Sequence, residues 1–536
     1  MRTFWRVAAS LALAAALLWP GGQARAAGSG WSEASPVRFQ PLGATVLTAQ
    51  GLGSYRGAIQ VSRDPGGLSV VNDVGFEDYL QGISEMPPTW PAAALQAQAI
   101  AARTYALWEM LVRRPDSASG AQICATDACQ VYRGLDRERE AGDRAWAQAV
   151  TATAGQVLLY QGKVIEAMYG SSNGGRTGDG GVPWLPSVED PDDSTSPMHS
   201  WHWTAPLSSV GAALGVPANW TLTGVSQNGS TLTLALQAAD GSTGSEQISL
   251  ASFHDMVNAN LPTPAGLPYP LPSWSFTVSS SGDQLVVDGG GFGHGMGLSQ
   301  YGALGKAERG WSAADIVAAY YGGVRPTRLL PGQEPATIKV GLGSGLSSLT
   351  VGANGPFEVV GADGRPLAVM AAGWWTLGPG PDGTVEVTPP TAYAGPLAIS
   401  STDLAPGALR LSLTLPAVVH LTVEEPGLDP VALPPRVLGA GTVTVPLPPG
   451  HDRGLYEVTV EADAGAGRTA ALPVEAWLGA PLAAVPPAPA AVATRPVRAR
   501  RTVAPAMAGA ALLLLSAAAV AAYGWRRRDV IPGWSP

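Results

Sequence analysis

Positive charge is scarce in this chain and cysteine nearly absent: 32 Lys and Arg stand against 41 Asp and Glu, with two cysteines in 536 residues. Setting aside three arginines before residue 27, and seven arginines and one aspartate from 495 onward, 22 basic residues face 40 acidic ones, a net of -18 over 27–494. Such a surface repels phosphate backbones and anionic lipid, which excludes nucleic acid as a partner; a largely uncharged glycan fits better. Cys124 and Cys129 have no histidine among their neighbours, so a tetrahedral metal site would need two ligands from far away. In an exported chain a lone pair this close most simply forms a local disulfide, with zinc as the alternative. No cofactor is called for, because the glycine-rich run at 289–302 lacks the Gly-Lys-Ser/Thr ending and the dinucleotide spacing of phosphate loops.

Two apolar runs stand near the ends. Arg2 and Arg6 precede an apolar stretch at 7–19 and the triplet Ala24-Arg25-Ala26, which reads as a secretory signal peptide over 1–26. Residues 503–525 are almost wholly apolar and are followed by Arg526, Arg527 and Arg528, the pattern of a transmembrane helix with a cytoplasmic tail at 526–536. The Pro- and Ala-rich stretch 480–502 is an extended linker. These features predict an exported protein, anchored in the cytoplasmic membrane, with its main domains on the outer face.

Between the ends the expected class is α+β. Residues 37–82 alternate in short strands, and Pro91 opens a helix that can run to about Arg113 and is apolar nearly all round, the spine of a head domain at 37–330. A second helix is expected over 136–153 and a hairpin over 156–169, closed by Gln161-Gly162-Lys163. Residues 205–288 read as a β-rich insertion, and Ser312 with Asp315 caps a short helix ending at Gly322. Strand patterns then predict a small β domain at 335–400 and an immunoglobulin-like sandwich at 405–477.

The strongest chemical signal is Glu85, with Met86, Pro87, Pro88 and Trp90 within five positions. A carboxyl buried among such residues loses solvation, holds its proton to higher pH and can serve as a general acid. Around it stand Glu85-Met86-Pro87, Trp90-Pro91 and the helix core Ala97 to Tyr105, Ala-Gln-Ala-Ile-Ala-Ala-Arg-Thr-Tyr. Later blocks are Gln130-Val131-Tyr132-Arg133-Gly134, Ser172-Asn173-Gly174-Gly175-Arg176-Thr177 and Gly291-Phe292-Gly293-His294-Gly295-Met296-Gly297-Leu298-Ser299-Gln300-Tyr301-Gly302-Ala303.

By these blocks the chain resembles the SpoIID/LytB family, named for stage II sporulation protein D and an amidase enhancer, over roughly residues 37 to 330. The resemblance implies lytic transglycosylase activity on peptidoglycan strands, with Glu85 as the single acid and base. Ordinary glycosidases bring a second carboxylate, and the nearest in sequence, Glu77 and Asp78, lack an apolar setting. Candidate substrate-binding residues are Arg103, Gln130, Tyr132, Ser171, Ser172, Gly174, Gly175, Thr177, His294, Ser299, Gln300 and Tyr301; a buried ion pair is the alternative for Arg103, and a core position with a satisfied polar tip is the alternative for Gln130 and Tyr132. The amidase-enhancer name implies a rival, a non-catalytic wall binder that positions a separate cell-wall amidase. The Gly-x-Ser-x-Gly pattern centred on Ser172, with His294 as base, suggests a serine hydrolase only if a helix follows, and 174–181 is too rich in glycine to sustain one.

Overall fold

The strand Gly67–Gly75 is buried along most of its length, and its backbone groups need partners on both edges. It pairs antiparallel with Ala58–Asp64 on one side and with Thr337–Leu346 on the other. That second pairing joins segments about 270 residues apart in sequence. The result is an eleven-stranded sheet whose order is Trp31–Glu33, Val385–Thr388, Pro366–Pro379, Leu349–Val360, Val37–Pro41, Ala58–Asp64, Gly67–Gly75, Thr337–Leu346 and Ile123–Cys124, with Leu47–Ala49 attached to Leu349–Val360 and Gly53–Tyr55 attached in turn to Leu47–Ala49. The computed structural model describes residues 30–478, except 116, 140–143, 394–395, 406–407, 425–428, 448–453 and 466–467.

The expected small β domain at 335–400 is therefore corrected: its strands complete the sheet of the head. Phe39 packs on Phe357 and Trp375, and Trp375 meets Trp31 edge-on, so one core is shared by the first and last strands of the sheet. Local strand patterning cannot reveal such a closure, because it depends on which distant edge each strand finds.

The helix Ala92–Trp108 begins after Pro91, whose fixed φ suits a first turn, and continues as a π-helical turn, Glu109–Arg113. Twelve of its seventeen residues are buried, and helices Arg144–Ala152, Gln300–Glu308 and Ala313–Tyr320 pack against it. The helix expected over 136–153 is instead two pieces, Leu135–Glu138 and Arg144–Ala152, within the described residues. The expected hairpin is shorter, Gln156–Tyr160 with Lys163–Val164, and Tyr169–Gly170 leaves it to pair in parallel with Leu298–Ser299. Ser312 caps Ala313–Tyr320, its Oγ accepting from Asp315 N–H at 3.2 Å.

Between these elements lies a six-stranded antiparallel sheet running from Trp201–Pro206 to Gln284–Gly289, with helices Leu207–Ala213 and Leu250–Asn260 and a core of its own around Phe253, Leu232 and Leu285. From 399 onward, a three-stranded and a five-stranded sheet enclose a third core that includes Leu409, Leu421 and Val460. Among the described residues no helix is long and apolar enough to cross a membrane. The signal peptide expected over 1–26, the linker at 480–502, the membrane helix at 503–525 and the tail at 526–536 lie outside the described residues.

Candidate active site

The site begins where the helix Phe76–Gln81 ends. Residues 82–84 run beside 131–133: Ser84 N–H donates to Val131 O at 2.8 Å, Arg133 N–H donates to Gly82 O at 2.9 Å, and Ile83 bridges Tyr132. The buried Arg137 braces the turn from below, donating to Ile83 O and Met86 O. This fixed backbone delivers Glu85, a half-buried residue, to a cradle of donors.

Val131 N–H donates to Glu85 Oε1 at 2.7 Å, and the Gln300 side chain and the Tyr169 hydroxyl beside the carboxyl also favour its ionised form. Tyr169 is oriented in turn, because its hydroxyl oxygen accepts from Gln130 Nε2 at 2.9 Å. Gln130 Oε1 accepts from Tyr79 at 2.7 Å, and its Nε2 also reaches Ala102 O at 3.2 Å, so both its ends are held. Burial pushes the Glu85 pKa up to about 7 despite these donors, and the charge of Asp127 pushes the same way. The carboxyl is thus poised to give and take a proton near neutrality.

Above Glu85 the Tyr169–Gly170 and Leu298–Ser299 strands lie side by side, which brings the two glycine-rich runs together. Gly297, at φ +67°, allows this approach, since a Cβ there would strike the Met168 carbonyl. His294 Nδ1 accepts from Met296 N–H at 2.9 Å, and burial lowers its pKa, leaving a neutral ring that secures the loop. Tyr301 is half-buried with its ring 5.0 Å from that of Trp90, edge to face, so two aromatic residues flank the Glu85 turn.

Several of the expected substrate contacts are internal instead. Arg103 is fully buried and donates to both Glu77 oxygens at 2.7 and 2.8 Å, with further bonds to Val150 O and Gln156 O; none of these partners belongs to the Glu85 cradle. Tyr132 is buried, bonded to Asn72 and packed on Tyr55 and Tyr79, and cannot stack on a sugar; Gln130 supports Tyr169 rather than a ligand. Ser172 and Ser299 both donate at 2.7 Å to buried Asp193, which also accepts from the backbone of Asn173 and Gly174 and lies 3.1 Å from His199 Nδ1. Buried Thr177 bonds Pro186 O and Val188 N–H. With Ser172 given to Asp193 and His294 to Met296, the serine–histidine pair is not formed. Ser171, Gly174 and Gly175 remain half-buried along the loop.

Sequence reasoning missed Asp193 and its neighbour Asp190, which accepts from Asn173, Tyr320 and Lys306. They stand in the run Asp190-Pro191-Asp192-Asp193, whose charge and proline carry no signal of burial, and only the fold buries them. It also missed Tyr169, whose position just ahead of the glycine-rich run was the available signal. Cys124 and Cys129 are joined by a disulfide.

The fold is thus β-rich with packed helices, and it gathers one glutamate, its pKa raised to about 7, and two glycine-rich segments that pair with each other. Residues 64–160, which include the Glu85 turn and the long helix, match the family model described as SpoIID, Stage II sporulation protein. Stage II sporulation protein D of Bacillus subtilis (strain 168) is 30% identical over 273 residues, covering 48% of this chain and 75% of that protein. The protein of the same name from Bacillus amyloliquefaciens is 31% identical over 274 residues, 47% of this chain and 74% of its own length. The amidase enhancer of Bacillus subtilis (strain 168) is 30% identical over 299 residues, 46% of this chain but 40% of that longer protein. The chain belongs to the stage II sporulation protein D family.

Proposed function

We propose that this protein cleaves the glycan strands of peptidoglycan by a lytic transglycosylase mechanism. The observation that carries this reading is the Glu85 carboxyl, cradled by Val131, Gln300 and Tyr169 with its pKa raised to about 7. Protonated Glu85 gives its proton to the glycosidic oxygen as the bond from that oxygen to the anomeric carbon breaks. The muramic acid's own 6-hydroxyl oxygen then bonds to the anomeric carbon, and its proton passes to the Glu85 carboxylate. The acid is regenerated and no water is consumed. Help of this kind is worth roughly 100- to 10,000-fold in rate.

The charge pattern at the two ends supports export and anchoring on the outer face of the cytoplasmic membrane, where such strands lie. The half-buried Trp90–Tyr301 pair beside Glu85 supports contact with sugar faces. A second reading, a wall binder that positions a cell-wall amidase, is favoured by the name of one relative, the amidase enhancer. Digestion of peptide-free glycan strands by the full-length chain separates the two. The first reading expects products ending in 1,6-anhydro-N-acetylmuramic acid. Free reducing ends would mean that water attacks, and uncut strands would leave the binding role.

A further inference from the structure

Trp274 is the one large aliphatic or aromatic side chain that the inserted domain at 201–289 leaves largely exposed, at 45%, among the described residues. Its ring stacks on that of His254, with centroids 3.9 Å apart and planes 19° from parallel. His254, on the helix Leu250–Asn260, is held at both ring nitrogens: Nδ1 lies 3.2 Å from Asp255 Oδ1, and Nε2 lies 3.3 Å from Asn258 Nδ2. Asn258 in turn clasps the segment before Trp274, donating to Leu271 O at 3.0 Å and accepting from Leu271 N–H at 2.8 Å. The imidazole also lies 6.2 Å from the ring of Phe276, in the core of the inserted domain. One face of the indole is therefore backed by a fixed ring, and the other is turned to solvent.

The backbone on either side of Trp274 is clamped to the glycine-rich run. Gly293 N–H donates to Pro272 O at 3.0 Å, Gly290 N–H donates to Ser275 O at 3.0 Å, and Ser273 Oγ donates to Gly290 O at 2.6 Å. The same run leads to Tyr301, whose ring meets that of Trp90 in the Glu85 turn. Between the two ends, residues 292–296 are half-buried, and Gly295, at φ +72°, has open space where a Cβ would stand. A stretch poor in side chains thus links the exposed indole to the aromatic pair beside the acid.

We propose that Trp274 is a sugar-binding platform, a second station on which a glycan strand lies while Glu85 acts on another part of the same strand. The inference deepens the glycan-cleaving reading and rests on it for the identity of the polymer. A pyranose presents weakly positive C–H groups on its faces and hydroxyl or amide groups around its rim. An aromatic face is apolar and weakly negative, so the two stack. Ser275 and Thr277, the exposed residues next along the chain, carry hydroxyls that suit such a rim. Because the indole is already fixed, little side-chain freedom is lost when a sugar settles on it. A docked protein would want more apolar area than one ring, and the inserted domain exposes no second large apolar side chain among its described residues.

The test places Trp274→Ala and Trp274→Phe in the full-length chain. On a Glu85→Gln background, where strands are bound without being consumed, the Kd for long peptide-free glycan strands should rise about 10-fold in Trp274→Ala. Trp274→Phe should fall in between, and the melting temperature should hold. With Glu85 intact, Trp274→Ala should raise KM for long strands and leave kcat and the KM for short fragments unchanged. An unchanged Kd for long strands overturns the proposal. So does an equal rise in KM for short fragments, which would put the indole at the cleaved bond. Unchanged strand binding with lost stimulation of a cell-wall amidase also overturns it and assigns the ring to a protein partner. If the wild-type chain cleaves no glycan, the catalytic reading fails by itself, and the Kd comparison still decides the role of Trp274.

Discussion

Gln130 donates a hydrogen bond from Nε2 to the Tyr169 hydroxyl oxygen at 2.9 Å, and that hydroxyl in turn favours the ionised form of Glu85. A residue placed among ligand contacts by its motif thus acts one step removed, through a tyrosine. The acid is tuned by a chain of neutral groups: Tyr79 holds Gln130, Gln130 holds Tyr169, and Tyr169 holds Glu85.

Tyr169→Phe removes one donor to the ionised carboxylate, and such donors favour ionisation. The Glu85 pKa should rise above its value of about 7. In a pH–rate profile the limb where activity falls with rising pH should move to higher pH, with a loss of maximal rate. A profile that does not move would remove Tyr169 from the cradle.

Glu85→Gln should abolish strand cleavage, by at least about 100-fold, while glycan binding survives. Under the amidase-enhancer reading, the variant should still stimulate its partner enzyme. Measuring cleavage, binding and amidase stimulation on the same variant assigns the role.

The same variant should change how stability depends on pH. The folded pKa of about 7 lies above the ordinary 4.5, so the native state holds more protons between these values. The stability advantage of the native protonated form is full below pH 4.5 and lost as pH rises through 7. Glu85→Gln does not titrate, so between pH 4 and pH 8 the wild type should lose up to about 3 kcal/mol relative to the variant. Urea unfolding at the two pH values checks this.

Arg103→Met should destabilise the fold by about 2–4 kcal/mol, because it strands Glu77 and takes one donor each from the Val150 and Gln156 carbonyls. KM of the remaining folded protein should not change. Arg103→Lys should rescue little, since an ammonium cannot span both Glu77 oxygens. A raised KM without loss of melting temperature would instead place Arg103 at the substrate.

Asp193→Asn keeps the shape but turns an acceptor-only group into one with an amide donor facing Ser172, Ser299, Asn173 and Gly174. A loss of about 2–3 kcal/mol is expected, read by thermal melting. Hydrogen exchange at Asn173 and Gly174 should speed up.

What the sequence by itself determined is local. Glu85 announced itself because its apolar neighbours are contiguous with it, and the helix after Pro91 because an alanine-rich run needs no distant partner to be helical. What only the tertiary structure decided depends on segments that meet from far apart. Val131, Tyr169 and Gln300 converge on one carboxyl, the strands Thr337–Leu346 and Leu349–Val360 close the first sheet, and Asp190 and Asp193 leave an acidic loop for the interior. Arg103, Gln130 and Tyr132 stand in motifs that point to a site, yet their polar tips are consumed inside the core. The physical reason is that a buried polar group must find a partner, and its identity is set by packing between distant elements rather than by neighbours in the chain.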